Sequence, residues 1–337
     1  MRRRRGSLLL LGLLALPVSM LLAASIGEVR LPWLTTLHAV LNGLGLGQWP
    51  VAPIQQGIVW DYRASRAVVA ACCGAGLAVC GTLLQALLRN ALAEPYVLGI
   101  SAGASTGAVL VMLLGVGGAA LGLPLGAFLG ASLAFVLVLA LAARLDGGPT
   151  RMLLAGVAGS QLFNALTAYI VSTSANAEQA RSVMFWLLGS LAGVRWGDAG
   201  LAAAVVLPGL LASALCARLL DAFTFGDNAA ASLGVPVPAL RLALLGLTAL
   251  LTATLVSIVG AVGFVGLVIP HAARFIVGPG HARLLPAAAL IGAHFVVLAD
   301  IASRLLVPQQ VLPIGVVTAL VGAPAFAWIL YRSGQRR

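Results

Sequence analysis

Gly99-Ile100-Ser101-Ala102-Gly103 has the spacing of a nucleophile elbow, in which a serine on a strained turn gives its proton to a nearby imidazole. That chemistry needs a strand–turn–helix setting, whereas the flanking residues here are apolar and read as a membrane helix. His271 and His294 are the bases on offer, and no sequence feature connects either to Ser101. Close helix packing through small residues accounts for the same spacing. Cys72, Cys73 and Cys80 share one apolar run and Cys216 lies in another, without a CxxC pair or a histidine at metal-ligand spacing. They read as inert thiols facing lipid or other helices. The expectation is no catalytic residue and no metal site.

All 20 basic residues are arginine. A chain without lysine has no P-loop for nucleotide phosphates and forms no Schiff base. An ion-coupled carrier, the alternative of another class, would be expected to hold carboxylates well inside its spans. Glu28, Asp61, Glu94, Asp146, Glu178, Asp198, Asp221 and Asp227 instead fall at span ends or in loops. Asp300 is the exception, and Arg304 four residues later can neutralise it on one helix face.

These residues must be positioned by membrane helices. Of the 337 residues, 61% are hydrophobic and only 9% charged. A soluble domain carries about 25% charged residues, so most of this surface faces lipid. The arginines lie scattered between apolar runs and not clustered with aromatics, which argues against nucleic acid. The apolar run after Met1-Arg-Arg-Arg-Arg5 is long enough to span, so it reads as a retained first helix and not a cleaved signal.

Ten spans follow: Leu8–Ile26, Ala64–Ala86, Tyr96–Leu114, Leu123–Ala143, Met152–Ser172, Ala199–Leu219, Leu240–Val262, Phe264–Val277, Pro286–Ser303 and Pro313–Tyr331. The fold class is an all-α polytopic membrane protein, one transmembrane domain over residues 1–337 with both termini cytoplasmic. That orientation puts fourteen arginines inside and six (Arg30, Arg63, Arg66, Arg181, Arg195 and Arg304) outside, as the positive-inside rule requires. Pro208, Pro270 and Pro324 suggest kinks or interruptions near a pathway.

The cytoplasmic loop over about 220–238 is informative. Asp227 can cap a helix start, Ala229 to Leu233 favour helix, and Gly234 and Pro236 stop it. The product is a knob of about two turns, too short to span. At the outer face, Arg63, Arg66 and Arg304 run against the charge trend. Either they pair locally with Asp61 and Asp300 or snorkel, or they form a basic ring that captures acidic groups of an external partner.

Several blocks resemble the permease family of iron-siderophore, haem and cobalamin ABC importers (FecCD-type, type II importers). They are Arg63-Ala-Ser-Arg66, Gly81 through Asn90-Ala-Leu92-Ala-Glu94-Pro95 to Gly103, Phe185-Trp186-Leu-Leu-Gly189-Ser190, and Gly226-Asp227 through Gly234-Val235-Pro236. Gly263 to His271, Ala299-Asp300-Ile-Ala-Ser-Arg304 and Leu312 to Pro324 complete the set. The resemblance implies a permease of ten spans per subunit, homodimeric in the bacterial inner membrane, carrying an iron chelate such as a ferric siderophore. Haem and cobalamin are the alternative cargoes. It implies no enzyme activity and no cofactor on this chain: ATP and Mg would bind two copies of a separate ABC ATPase. A periplasmic binding protein would dock outside.

By position, Gly226, Asp227, Asn228, Ala230, Leu233 and Gly234 would form the coupling helix seated on the ATPase. Arg63, Arg66 and Arg304 would meet the binding protein, and Asn90, Leu92, Pro149 and Thr150 would form the cytoplasmic gate region. Arg63-Ala-Ser-Arg66 keeps both charges of the family's Arg-Leu-Pro-Arg stretch and loses its proline.

Overall fold

Runs of leucine, alanine and valine in lipid leave each backbone amide only its own helix as partner. The residues that the computed structural model describes, 2–27, 29–117, 122–144, 148–307 and 310–334, accordingly form helices joined by turns and loops. The expectations placed on Glu28, Asp146, Arg336 and Arg337, and on the side chains of Arg2 to Arg5 and Arg332, lie outside the described residues and side chains.

In order, the helices are α1 (Arg2–Ser25), α2 (Trp33–Gly43), α3 (Pro53–Gly57), α4 (Ser65–Leu87), α5 (Ile100–Leu114), α6 (Leu123–Arg144), α7 (Pro149–Ser174) and α8 (Ala177–Leu187). They continue as α9 (Trp196–Leu215), α10 (Ala217–Phe223), α11 (Asp227–Ser232), α12 (Val237–Val259), α13 (Val265–Val277), α14 (His281–Leu305) and α15 (Ile314–Gly334). A π-helical turn, Ile58–Ala64, fuses α3 to α4, and a 3-10 turn, Pro95–Leu98, leads into α5.

Seven described helices are long and apolar enough to cross a membrane, and Ile100–Leu114, Val265–Val277 and Ile314–Ile329 are shorter apolar helices. Seven and three make ten, one for each predicted span and in the same order. Beyond these spans and α11, the additions are α2 and α8, 11 residues each, with the shorter α3 and α10. For α8 a local signal did exist: Asn176 and Gln179 form a reciprocal capping box.

The middle of the bundle is α4, nearly all of it buried against α9, α12, α13 and α14. Its glycines explain how four helices reach it. A Cβ on Gly74 would collide with the backbone of Gly292 in α14, and one on Gly81 with the Gly266 backbone in α13. Gly103 and Gly107 of α5 likewise interlock with Gly126 and Gly130 of α6, two GxxxG faces in backbone contact. Gly103 of the apparent nucleophile elbow is thus a packing residue.

Two expectations change. Helices α9, α13 and α15 run through Pro208, Pro270 and Pro324, so the prolines do not mark the interruption. It falls between α12 and α13, where Gly260 and Phe264 have φ of 71° and 67°. The Tyr96 hydroxyl holds that break at both polar atoms of Val262, accepting from its N–H at 2.7 Å and donating to its carbonyl at 3.0 Å. Nor does Ser101 lie mid-helix. Gly99, at φ 77°, separates the 3-10 turn from α5 and puts Ser101 in its first turn.

Helix directions define two ends. Gly74 packs on Gly292 and Arg66 bonds Asp300, so α4 runs antiparallel to α14. The start of α1, the end of α4 and the start of α14 share what we term the lower end, with α10 and α11; the opposite ends share the upper.

Candidate functional site

At the lower end, α11 is stopped at both ends by glycine backbone. Gly226 precedes it at φ 99° and Gly234 follows at φ 80°, a conformation in which side-chain-bearing residues are strained. Ala230 is buried and anchors the helix, while Asn228 is exposed and Leu233 is 71% exposed. Phe225 beside it is 77% exposed. The helix therefore offers an apolar knob beyond the bundle. Asp227 departs from its expected role: Gly226 is the N-cap and no side chain caps the helix. Its two carboxylate oxygens instead accept from Arg241 Nη2 of α12, each at 2.8 Å.

Next to α11 is the loop between α4 and the 3-10 turn. Asn90 Oδ1 accepts from the Leu92 N–H at 2.8 Å, which folds the loop tip and leaves Leu92 52% exposed. Pro149 is the first residue of α7, where a missing N–H costs nothing, and Thr150 after it is exposed. The two segments meet farther in, where Gly156 lies against the Val97 carbonyl.

Glu94 closes the same loop with a buried Oε2 that has no hydrogen-bond partner among the described residues. Burial pushes its carboxyl up from 4.5 to about 7. A raised carboxyl is neutral in the folded loop at low pH, so ionisation costs the fold stability as pH rises from about 4.5 to about 7. Glu94→Gln should therefore flatten the thermal-stability profile across that window and be more stable than the parent above it. Parallel profiles for the two proteins would reject this.

At the upper end, Asp300 is wholly buried and sits between two guanidiniums. Arg66 donates to Oδ1 through Nε at 2.7 Å, and Arg304 to Oδ2 through Nη2 at 2.8 Å. Arg304 also donates to the Ile26 carbonyl at 2.6 Å. Arg63, 7% exposed, donates to the carbonyls of Ala24, Ser25 and Val29, while Asp61 is exposed. The last carbonyls of α1, which a helix leaves unbonded, are thus met by Arg63, and Arg304 holds the Ile26 carbonyl just beyond them. The three arginines do come together, but in this conformation their polar atoms are turned inward.

Between the ends, one face of α7 is unusual. Ala158, Gln161, Asn164, Ala165, Ala168 and Ser172 follow helical spacing along a spanning helix, and all are exposed. Two amides near mid-span are costly against hydrocarbon, so this stripe calls for water or another chain. The sequence carried the signal as two amides among small residues at one helical period.

No hydrolase assembles around Ser101. His271 bonds the Leu267 carbonyl at 2.7 Å, and His294 bonds Ser19 Oγ at 3.1 Å and the Gly12 carbonyl at 3.0 Å. The four cysteines are free thiols, with Cys73 and Cys80 buried.

Comparison with known proteins bears on this arrangement. The family model described as the FecCD transport family matches residues 14–332, nearly the whole chain. The chain belongs to the FecCD transport family. A cobalamin import permease, BtuC of Halobacterium salinarum, is 38% identical over 306 residues, covering 87% of this chain and 82% of that protein. The Fe(3+) dicitrate permease FecD of Escherichia coli K12 is 36% identical over 322 residues, covering 95% and 96%. Among solved structures, an inward-facing metal-chelate type ABC transporter superposes with a TM-score of 0.84 at 29% identity, covering 97% of this chain and 99% of that one. This FecCD protein is therefore a multi-pass ABC importer permease, a transport subunit and not itself an enzyme.

Proposed function

We propose that this FecCD permease works as a homodimer in the bacterial inner membrane, both termini cytoplasmic, and passes an intact iron chelate of the ferric-siderophore kind inward. The α7 stripe carries the proposal. Gln161 and Asn164 are exposed from one copy, and a second copy across a water-filled path removes their cost in lipid. The relatives named for cobalamin and ferric dicitrate support a large chelate as cargo, with cobalamin and haem the competing identities. An ion-coupled carrier fits less well, because the buried Asp300 is already held by two arginines.

In this reading Gly226, Asp227, Asn228, Ala230, Leu233 and Gly234 form the coupling element of a separate ABC ATPase, present in two copies, which holds the ATP and Mg. The exposed Phe225 and Leu233 support that role. Asn90, Leu92, Pro149 and Thr150 gate the path where it opens into the cytoplasm. A periplasmic binding protein docks over the upper end, where its acidic groups meet Arg63, Arg66 and Arg304.

The test uses the complete transporter in liposomes loaded with ATP. Uptake of a ferric siderophore should survive an uncoupler and stop when the ATPase is inactivated. Replacing Gln161 and Asn164 together by leucine should lower uptake about ten-fold while assembly and ATP hydrolysis persist, as for a lost path contact worth about 1.4 kcal/mol. Uptake that tracks a proton gradient, or a leucine pair without effect, would reject the reading.

A further inference from the structure

Arg89 is the last residue before the loop that carries Asn90 and Leu92, and its backbone is strained. Its φ is 47°, a left-handed conformation that strains a residue with a Cβ. Glycine or asparagine usually occupies this position just beyond a helix. A strained backbone persists only where its surroundings hold it.

The side chain reaches from this turn to α11. Arg89 Nη2 stands 3.9 Å from Asp227 Oδ1, at the first residue of α11. A Cβ placed on Gly226 would lie 3.3 Å from Arg89 Nη1, so the guanidinium rests against the turn that starts the helix. Asp227 is itself gripped by Arg241 of α12, whose guanidinium lies 5.7 Å from the Phe223 ring centroid in α10. Asp221 of α10 accepts from the His281 N–H at 2.9 Å, which ties the same segment to the start of α14. Helix α11 is thus attached to α12 through Asp227, follows α10, which Asp221 ties to α14, and meets the end of α4 through Arg89.

We propose that Arg89 is the positioning residue that carries a displacement of α11 to the loop bearing Asn90 and Leu92. The inference rests on the reading of α11 as the ATPase-coupling helix and of that loop as the gate. An exposed pair at this distance contributes little to stability, so its removal leaves the fold intact. What changes is the link. The left-handed turn at Arg89 sets the direction in which the loop leaves α4, and the guanidinium fixes that turn to α11.

The experiment measures ATP hydrolysis and ferric siderophore uptake side by side in the reconstituted transporter. Arg89→Gln should keep assembly and ATP hydrolysis and lower uptake per ATP about ten-fold. Arg89→Lys, which keeps the charge, should restore most of it. Arg89→Gly relieves the backbone but removes the contact, and it should behave like Arg89→Gln. Wild-type uptake per ATP in Arg89→Gln overturns the proposal. So does a parallel loss of hydrolysis and uptake, which would make Arg89 part of a docking surface. Leu233→Asp distinguishes the underlying reading: full ATPase association in that variant removes α11 as the coupling helix, and the proposal with it.

Discussion

Gly74→Leu is expected to leave almost no correctly folded permease, seen as loss of the monodisperse peak in size-exclusion chromatography. In most helices a leucine facing lipid is harmless. At Gly74 the added Cβ would overlap the Gly292 carbonyl group, and a Cβ on Gly292 would in turn overlap Gly74. Backbone cannot swing aside as a side-chain tip can. Helices α4 and α14 would have to separate, and α4 carries the packing of α9, α12 and α13 as well. Overpacking of a well-filled core costs about 1–3 kcal/mol and occasionally more, and a rigid seam belongs at the upper limit. Gly246→Leu is the control, since no described residue lies within 4 Å of a Cβ there. A monodisperse Gly74→Leu protein with an unchanged thermal midpoint would show that the seam is compliant.

Asp300→Asn should cost about 3–5 kcal/mol, because removing one member of a buried ionic group leaves the others uncompensated. Two guanidiniums depend on this carboxylate, and side-chain exposure is only 12% for Arg66 and 6% for Arg304. Arg304 would keep its bond to Ile26, whereas Arg66 would lose its anionic partner. Arg66→Gln should be milder, since Arg304 still neutralises Asp300. Thermal unfolding of the three proteins in detergent checks the order. Equal midpoints for Asp300→Asn and the parent would mean that water satisfies the arginines and the cluster is not a structural clamp.

That cluster also shows where reading the sequence reaches its range. The Asp300–Arg304 pair is legible because four residues on one helix put two side chains on one face. Arg66 lies 234 positions from Asp300, and their meeting depends on how α4 and α14 are rotated and staggered. Arg63 was open to a local pairing with Asp61, yet it reaches back to the end of α1. Asp227 illustrates the same limit at shorter range. Its type suits a cap, but Gly226 takes that position and Arg241 takes the carboxylate.

By itself the sequence determined the number and order of spans, the missing nucleotide motor, the short helix bounded by Gly234, and the family. Each depends on composition summed over one segment, on an absent residue type, or on turn chemistry within a few positions. Only the tertiary structure decided what meets across helices: the buried arginines around Asp300, the Tyr96 anchor at the break near Val262, and the outward amides Gln161 and Asn164. It also decided that Arg89 touches the base of α11. The physical reason is that lipid favours any apolar face nearly equally. Rotation and depth of each helix are then set by backbone contacts at glycines and by a few polar bonds between segments far apart in the chain.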